Sequence, residues 1–173
     1  MGVTTKEKAM RVIVLTGPPG AGKNTIAQII AKRRSHCAVI DVDLVRWMVL
    51  QPHKAPWEGD AGKKQQMLGA QNTCLVANNF LKEGYEVIIL DVLTTDTAKL
   101  YRKQLQKNNV KIILLLPTYE EILRRNIIRP PRLKADEVKT LYGQQKKFTE
   151  YDEIINNTNL SPEKMSERLI QQY

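Results

Sequence analysis

Nine residues near the start of the chain have the types and spacing of a phosphate-binding loop (P-loop). They are Gly17-Pro18-Pro19-Gly20-Ala21-Gly22-Lys23-Asn24-Thr25, which contain the complete G-x-x-x-x-G-K pattern. Glycines let consecutive backbone N–H groups turn towards a phosphate, and Lys23 adds positive charge beside the β- and γ-phosphates. The alternative is a glycine-rich turn without a nucleotide. The pattern predicts nucleotide phosphate contacts from seven residues: Gly17, Gly20, Ala21, Gly22, Lys23, Asn24 and Thr25.

Two acidic segments each follow an apolar run of strand length. The first is Asp41-Val42-Asp43, and the second is Asp91, which follows Val87–Leu90 in a Walker-B-like pattern. Parallel strands present their carboxyl ends at one edge of a sheet, so Asp43 and the P-loop should open into the same crevice. A carboxylate there can accept the proton of an attacking hydroxyl. The alternative for Asp43 is the N-cap of the next helix, whereas alternation turns Asp41 away into a structural role.

Arginines are concentrated near a predicted helix end. Arg125, Arg129 and Arg132 have the spacing i, i+4, i+7, but Pro130 forbids helix at residue 129, so a short loop must follow. Planar guanidinium groups suit the charge that spreads over a transferring phosphoryl group. The alternative is a solvated basic face, or pairing with nearby glutamates at helical spacing.

Two further residues are candidates for binding a second substrate. Arg46 follows Asp43 by one helical turn, and Trp57 lies in the irregular segment Gln51–Gly62. A tryptophan near the crevice can stack on a ring or a sugar, or it can fill the core beneath a loop. We predict acceptor binding by Arg46 and Trp57, with the core role of Trp57 as the alternative.

Strand-length and helix-length segments alternate along the chain, and the strand segments are almost uninterrupted apolar runs. Such runs are typical of parallel strands that are covered by helices on both faces, hence of an α/β fold. The predicted strands are Val12–Thr16, Cys37–Asp41, Val87–Asp91, Val110–Leu116 and Glu153–Ile155. The predicted helices are Thr25–Arg34, Leu44–Leu50, Lys63–Glu83, Asp96–Lys107, Tyr119–Ile128, Ala135–Thr149 and Pro162–Gln172.

Composition narrows the class of protein. The chain has 173 residues and a net charge of +9, with 42% hydrophobic residues, which favours one globular domain over residues 1–173. The basic balance permits an anionic partner such as nucleic acid, although a lysine-rich surface accounts for it equally well. No apolar run approaches the roughly 18 residues of a membrane span. We therefore expect a cytoplasmic protein without a membrane partner, either monomeric or homodimeric.

The P-loop closely resembles that of adenylate kinases and related small kinases. In that group Gly commonly follows the lysine and Thr comes next, as Thr25 does here, while Asn24 stands where the general pattern has a metal-binding Ser or Thr. The resemblance implies ATP and Mg²⁺ as cofactors, with Thr25 and Asp91 at the metal and water-mediated contact favoured over a direct hydroxyl ligand. It also implies a three-layer P-loop NTPase fold, with a five-stranded parallel sheet in the order 2-3-1-4-5.

The segment from Ile40 to Arg46 is similar to the acceptor segment of shikimate and gluconate kinases. It looks still more like that of chloramphenicol phosphotransferase and zeta-toxin-type kinases, in which an Asp at the position of Asp43 faces the acceptor hydroxyl. This resemblance places acceptor binding at about 43–83. A lid at about 125–134 would provide Arg125 and Arg129 as catalytic residues. The segment after Asp91, Val92-Leu93-Thr94-Thr95, differs from the Gly-Phe-Pro-Arg segment of adenylate kinases. This difference argues against a nucleoside monophosphate as the acceptor.

These patterns predict a phosphotransferase that moves the γ-phosphoryl group of ATP to a hydroxyl of a small molecule. Lys23, Asp43, Arg125 and Arg129 are the predicted catalytic residues. The alternatives are a polynucleotide 5′-end kinase, a zeta-toxin-like or antibiotic-modifying kinase, and a nucleotide-binding protein that transfers no phosphate.

Overall fold

A computed structural model of the chain describes residues 11–128, 130 and 133–173. Its strands are β1 (Arg11–Thr16), β2 (Cys37–Asp41), β3 (Glu86–Leu90), β4 (Asn109–Leu115) and β5 (Glu153–Ile155). Its helices are α1 (Lys23–Lys32), α2 (Val42–Arg46), α3 (Gly59–Lys82), α4 (Thr95–Gln104), α5 (Tyr119–Ile128), α6 (Ala135–Lys147) and α7 (Pro162–Gln172). Arg129 and Arg132 lie outside the described residues.

The five strands form one parallel sheet in the order β2-β3-β1-β4-β5, which confirms the predicted topology. Side chains of β1 alternate between two hydrophobic cores, one on each face of the sheet. Val12 and Val14 belong to one core and Ile13 and Leu15 to the other. Burial on both faces explains why the central parts of these strands are almost entirely apolar. No helix of the described residues is long and apolar enough to cross a membrane.

Helix α3 packs mainly through small residues, and only some of its large apolar side chains are buried. Leu68 and Leu75 are exposed, Leu75 by 65%. The buried positions are instead Gly62, Gln66, Gly69, Ala70, Thr73, Cys74, Ala77 and Leu81. Small side chains bring this helix close to its neighbours, so the buried side of α3 cannot be identified from large apolar residues alone.

A buried ring of three hydrogen bonds connects the P-loop strand, the loop after β3 and helix α6. Thr16 Oγ1 donates to Gln145 Oε1 (2.9 Å), Gln145 Nε2 donates to the carbonyl oxygen of Leu93 (2.9 Å), and Leu93 N donates to Thr16 Oγ1 (3.0 Å). Thr16 immediately precedes Gly17, and Leu93 follows Asp91 by two residues. The ring therefore fixes the P-loop relative to Asp91.

Replacing Gln145 with leucine should lower the free energy of unfolding by about 2 kcal/mol or more, because a buried hydroxyl and a buried carbonyl lose their partner. Urea unfolding measures the effect. Gln144→Leu is the matched control, since Gln144 is its exposed neighbour on α6. Equal losses in the two variants would contradict the importance of the ring.

Candidate active site

An open cleft of about 1690 Å³ lies at the carboxyl edge of the sheet. The P-loop forms its floor, and the loop after β3 and the segment between α2 and α3 form one side. Helix α5 and the loop after β5 form the other side. Of the predicted residues, those that line the cleft are Gly20, Gly22, Lys23, Asn24, Thr25, Asp43, Arg46, Trp57, Asp91 and Arg125.

The P-loop adopts a backbone that requires its glycines. Gly17, Gly20 and Gly22 have φ of 141°, 89° and 95°, which side chains disfavour. A Cβ at Gly17 would also overlap the carbonyl oxygen of Leu115. Helix α1 begins at Lys23, two residues earlier than predicted, and Lys23 Nζ donates to the carbonyl oxygens of Gly17 (2.8 Å) and Pro18 (3.3 Å). The helix N-terminus and the Lys23 ammonium thus meet at the loop, as phosphate binding requires.

Asp41, not Asp43, caps helix α2. The Asp41 carboxylate accepts from Asp43 N (3.0 Å) through Oδ1 and from Asn24 Nδ2 (2.8 Å) through Oδ2. Because α2 begins at Val42 directly after β2, strand alternation does not apply beyond Asp41, and both carboxylates line the cleft. Asn24, which replaces the usual hydroxyl residue, therefore ties α1 to α2. Asp43 lies in the first turn of α2 and lines the cleft. Solvent reaches 67% of its side chain.

Arg46 lies beside Asp43 with only 11% of its side chain exposed. Its Nη1 pairs with Asp43 Oδ1 (3.1 Å), and its Nη2 donates to the carbonyl oxygen of Lys54 (3.3 Å). Trp57 lines the cleft and is 53% exposed, so it does not fill the core. Trp47 stacks on His53 at 3.8 Å in the same segment, a pair that nothing in the local sequence indicates.

Asp91 is almost completely buried at the base of the cleft. Its Oδ1 accepts from Val92 N (2.8 Å) and its Oδ2 accepts from the Tyr101 hydroxyl (3.0 Å). Burial raises the pKa of Asp91 to about 6; the Tyr101 hydrogen bond opposes this shift, the nearby Asp43 charge adds to it, and Lys23 lowers it. Tyr101 was not predicted as a site residue, and its position on the buried face of α4 beside Thr97 and Ala98 is visible only in the structure.

Two oxygen-bearing residues at this end of the cleft suit a magnesium ion by their chemistry. The Asp91 carboxylate and the Thr25 hydroxyl are hard oxygen ligands, which Mg²⁺ prefers together with water and substrate phosphates. Within the described residues, no three acidic, histidine or cysteine side chains lie close enough to hold a metal ion by themselves. Asp91 and Thr25, the two predicted metal residues, both border the cleft.

Asp91 should make the stability of the metal-free protein depend on pH. A carboxyl pKa that rises from 3.8 to about 6 on folding contributes stability below pH 4, which is lost as the pH rises through 6. Asp91→Asn should therefore be more stable than the unchanged protein at pH 8 and lose this advantage near pH 4. Urea unfolding of both proteins across this range, with chelator present, measures the difference. A pH-independent difference would contradict the shift.

Arg125 bonds to the P-loop and to the loop after β5. Its Nη1 donates to the carbonyl oxygens of Gly20 (3.3 Å) and Ala21 (3.4 Å), and its Nη2 to that of Asn157 (3.2 Å). The neighbouring Glu121 accepts two hydrogen bonds from Arg124 and one from Arg125 Nε, and these bonds lower the pKa of Glu121 to about 2. The structure thus places Arg125 against the P-loop and leaves Arg124 exposed and paired.

Asn157 is a site residue that the sequence did not reveal. It is buried, and its Nδ2 donates to the carbonyl oxygen of Ala21 (2.8 Å). Three of the four polar residues 156–159 are asparagines, so nothing in the local sequence distinguishes Asn157 from its neighbours.

Comparison with known proteins identifies a family and several relatives. A family model described as AAA domain matches residues 13–137. The human protein threonine synthase-like 1 is 26% identical over 169 residues, and the chain spans 22% of its length; its Macaca fascicularis relative is 27% identical over the same share.

Solved structures of P-loop kinases share the fold. Shikimate kinase from Bacteroides thetaiotaomicron has a TM-score of 0.68 at 22% identity, over 95% of this chain and 98% of that one. APS kinase from Mycobacterium tuberculosis, in complex with AMPPNP and APS, has a TM-score of 0.72 at 16% identity, over 95% and 97%. A sugar kinase from Janibacter sp. HTCC2649 has a TM-score of 0.70 at 19% identity, over 94% of this chain and 93% of that one. The resemblance to small P-loop kinases is thereby confirmed for the fold.

Proposed function

The chain belongs to the AAA domain family, and on this premise we propose that it is an ATP- and Mg²⁺-dependent phosphotransferase with a small-molecule hydroxyl as acceptor. The observation that carries this proposal is the arrangement of Asp43 and the P-loop. Asp41 bonds both to Asn24 of α1 and to the backbone of Asp43, so one carboxylate joins the phosphate site to the proposed base. In this proposal the exposed Asp43 carboxylate, which lines the same cleft as the P-loop, accepts the proton of the acceptor hydroxyl.

In the proposed reaction the P-loop amides and Lys23 bind the β- and γ-phosphates of ATP. The acceptor hydroxyl oxygen forms a bond to the γ-phosphorus, the bond from that phosphorus to the β–γ bridging oxygen breaks, and ADP leaves. Asp43 takes the hydroxyl proton. Asp91 and Thr25 would hold Mg²⁺ at the end of the cleft that they border, where the ion would neutralise phosphate charge. Arg125 donates hydrogen bonds to two carbonyl oxygens of the P-loop, and its guanidinium group brings positive charge to the P-loop.

The acceptor lies, in this proposal, between α2 and the segment that precedes α3. Arg46 is held beside Asp43 and Lys54, and the exposed ring of Trp57 gives a surface on which a ring or sugar can stack. Both residues are separate from the P-loop, which allows the acceptor to bind without displacing ATP.

Transfer of label from γ-phosphate-labelled ATP into a fractionated cell extract tests the proposal, with Lys23→Ala protein as the blank. Label in the small-molecule fraction supports it and isolates the acceptor. Label only in the nucleic-acid fraction would instead favour a polynucleotide 5′-end kinase, and release of free phosphate alone would contradict transfer to an acceptor.

A further inference from the structure

Gly69 occupies an unexpected position in the middle of α3. Glycine disfavours a helix relative to alanine, and Gly69 is not one of the glycines with positive φ. Its backbone therefore gives no reason for a glycine. The reason must lie in what a side chain at this position would contact.

The side chain of Arg46 runs directly over Gly69. A Cβ at this position would overlap Arg46 Cγ and lie 3.2 Å from Arg46 Cδ and 3.7 Å from Val42 Cγ1. The guanidinium group is held at its far end by Asp43 Oδ1 (3.1 Å) and the Lys54 carbonyl oxygen (3.3 Å). Because both ends of the Arg46 side chain are fixed, it cannot swing aside without losing these contacts.

One carboxylate, that of Asp43, balances the largely buried positive charge of Arg46, and the proposed reaction would neutralise this carboxylate. Asp43 Oδ1 is the carboxylate that pairs with this largely buried guanidinium. When Asp43 takes the proton of a hydroxyl, the guanidinium loses its negative partner, and a buried charge without a partner is strongly disfavoured. An acidic group on the acceptor would restore the balance, since guanidinium groups bind carboxylate and phosphate well.

We propose that Gly69 is a positioning residue that determines acceptor specificity. Because Gly69 has no side chain, the Arg46 side chain can lie across it and hold its guanidinium group where it binds an acidic group of the acceptor. The claim about acceptor specificity rests on the proposed function, whereas the claim that Gly69 makes room for Arg46 rests on packing alone. Gly69→Ala should displace Arg46 while leaving the P-loop unchanged.

Urea unfolding of four proteins tests the packing part without any substrate. Gly69→Ala should lower the urea midpoint when Arg46 is present and raise it in the Arg46→Ala background, where only the better helix propensity of alanine remains. Gly143→Ala is the matched control, because Gly143 is a helical glycine of α6 with open space around its Cβ, and it should raise the midpoint in both backgrounds. Absence of the sign reversal would overturn the proposal.

The kinetic part uses the small-molecule fraction that accepts label. Gly69→Ala should raise its half-saturating concentration at least ~10-fold and leave the KM for ATP within about twofold, a split that general destabilisation does not produce. The acceptor, freed of its new phosphate by a phosphatase, should still bind an anion-exchange resin. An unchanged half-saturating concentration or a neutral acceptor would overturn the specificity claim. If the unchanged protein labels nothing, the proposed function fails, while the midpoint comparison still decides the packing.

Discussion

Lys23→Ala should abolish phosphoryl transfer, with a loss of about 10³-fold or more in kcat, because the ammonium group is the P-loop charge placed to stabilise phosphate oxygens in the transition state. The side chain lies over the loop with its Nζ at 2.8 Å from the Gly17 carbonyl oxygen. Backbone amides and the α1 N-terminus remain in the variant, so weaker ATP binding should persist. Steady-state transfer and ATP titration measure the two quantities separately.

Lys32→Ala is the matched control for that experiment. Lys32 is an exposed lysine in the last turn of the same helix, and its removal changes the net charge by the same amount. It should leave transfer unchanged within about twofold, since solvent and salt screen an exposed charge far from the phosphates. Near-normal turnover of Lys23→Ala, or an equal loss in both variants, would contradict the role of the P-loop lysine.

The fold could be predicted because its signals are local. Almost uninterrupted apolar runs identified β1 to β4, whereas β5 was predicted from a shorter segment with only two apolar residues. The glycines and lysine of the P-loop lie within nine consecutive residues. Helices α5 and α7 have the predicted bounds, whereas α2 begins and ends earlier than predicted. The early start of α2 follows from capping by Asp41. Helix propensity alone does not decide whether Asp41 or Asp43, two acids two residues apart, is the cap.

The contacts within the site could be predicted much less well, because they join distant parts of the chain. Asn157 reaches Ala21 across 136 positions, and Arg125 reaches Gly20 across 105. The Gly69–Arg46 contact is equally hidden, since a glycine within a helix usually indicates only a weak helix. Such pairs depend on how α2, α3 and α5 pack around the sheet, which no local pattern specifies.

Residues whose partners are close in sequence were recognised, whereas residues whose partners lie on another element were not. Asp43 and Arg46 were recognised as neighbours from their helical spacing, and the structure brings them to 3.1 Å. Asn24 looked like a departure from the P-loop pattern until its bond to Asp41 showed what the carboxamide contacts. A residue type that departs from a motif is therefore best interpreted together with the element that it faces.

Asp43→Asn should slow transfer at least ~100-fold while ATP binding stays nearly unchanged. Asparagine has the same shape, and its amide oxygen can still accept from Arg46, but it cannot take the proton of an acceptor hydroxyl. The loss should therefore fall on kcat, with the KM for ATP almost constant. Single-turnover transfer with the purified acceptor fraction, together with ATP titration, measures both.

Asp96→Asn separates this role from the general effect of an acid in the first turn of a helix. Asp96 lies in the first turn of α4 as Asp43 lies in that of α2, and both are exposed, but Asp96 does not line the cleft. An acid at a helix N-terminus contributes only about 0.3–1 kcal/mol of stability, which cannot account for a large loss in turnover. If the two variants lose activity equally, or if Asp43→Asn retains near-normal turnover, Asp43 is not the base and acts only through α2.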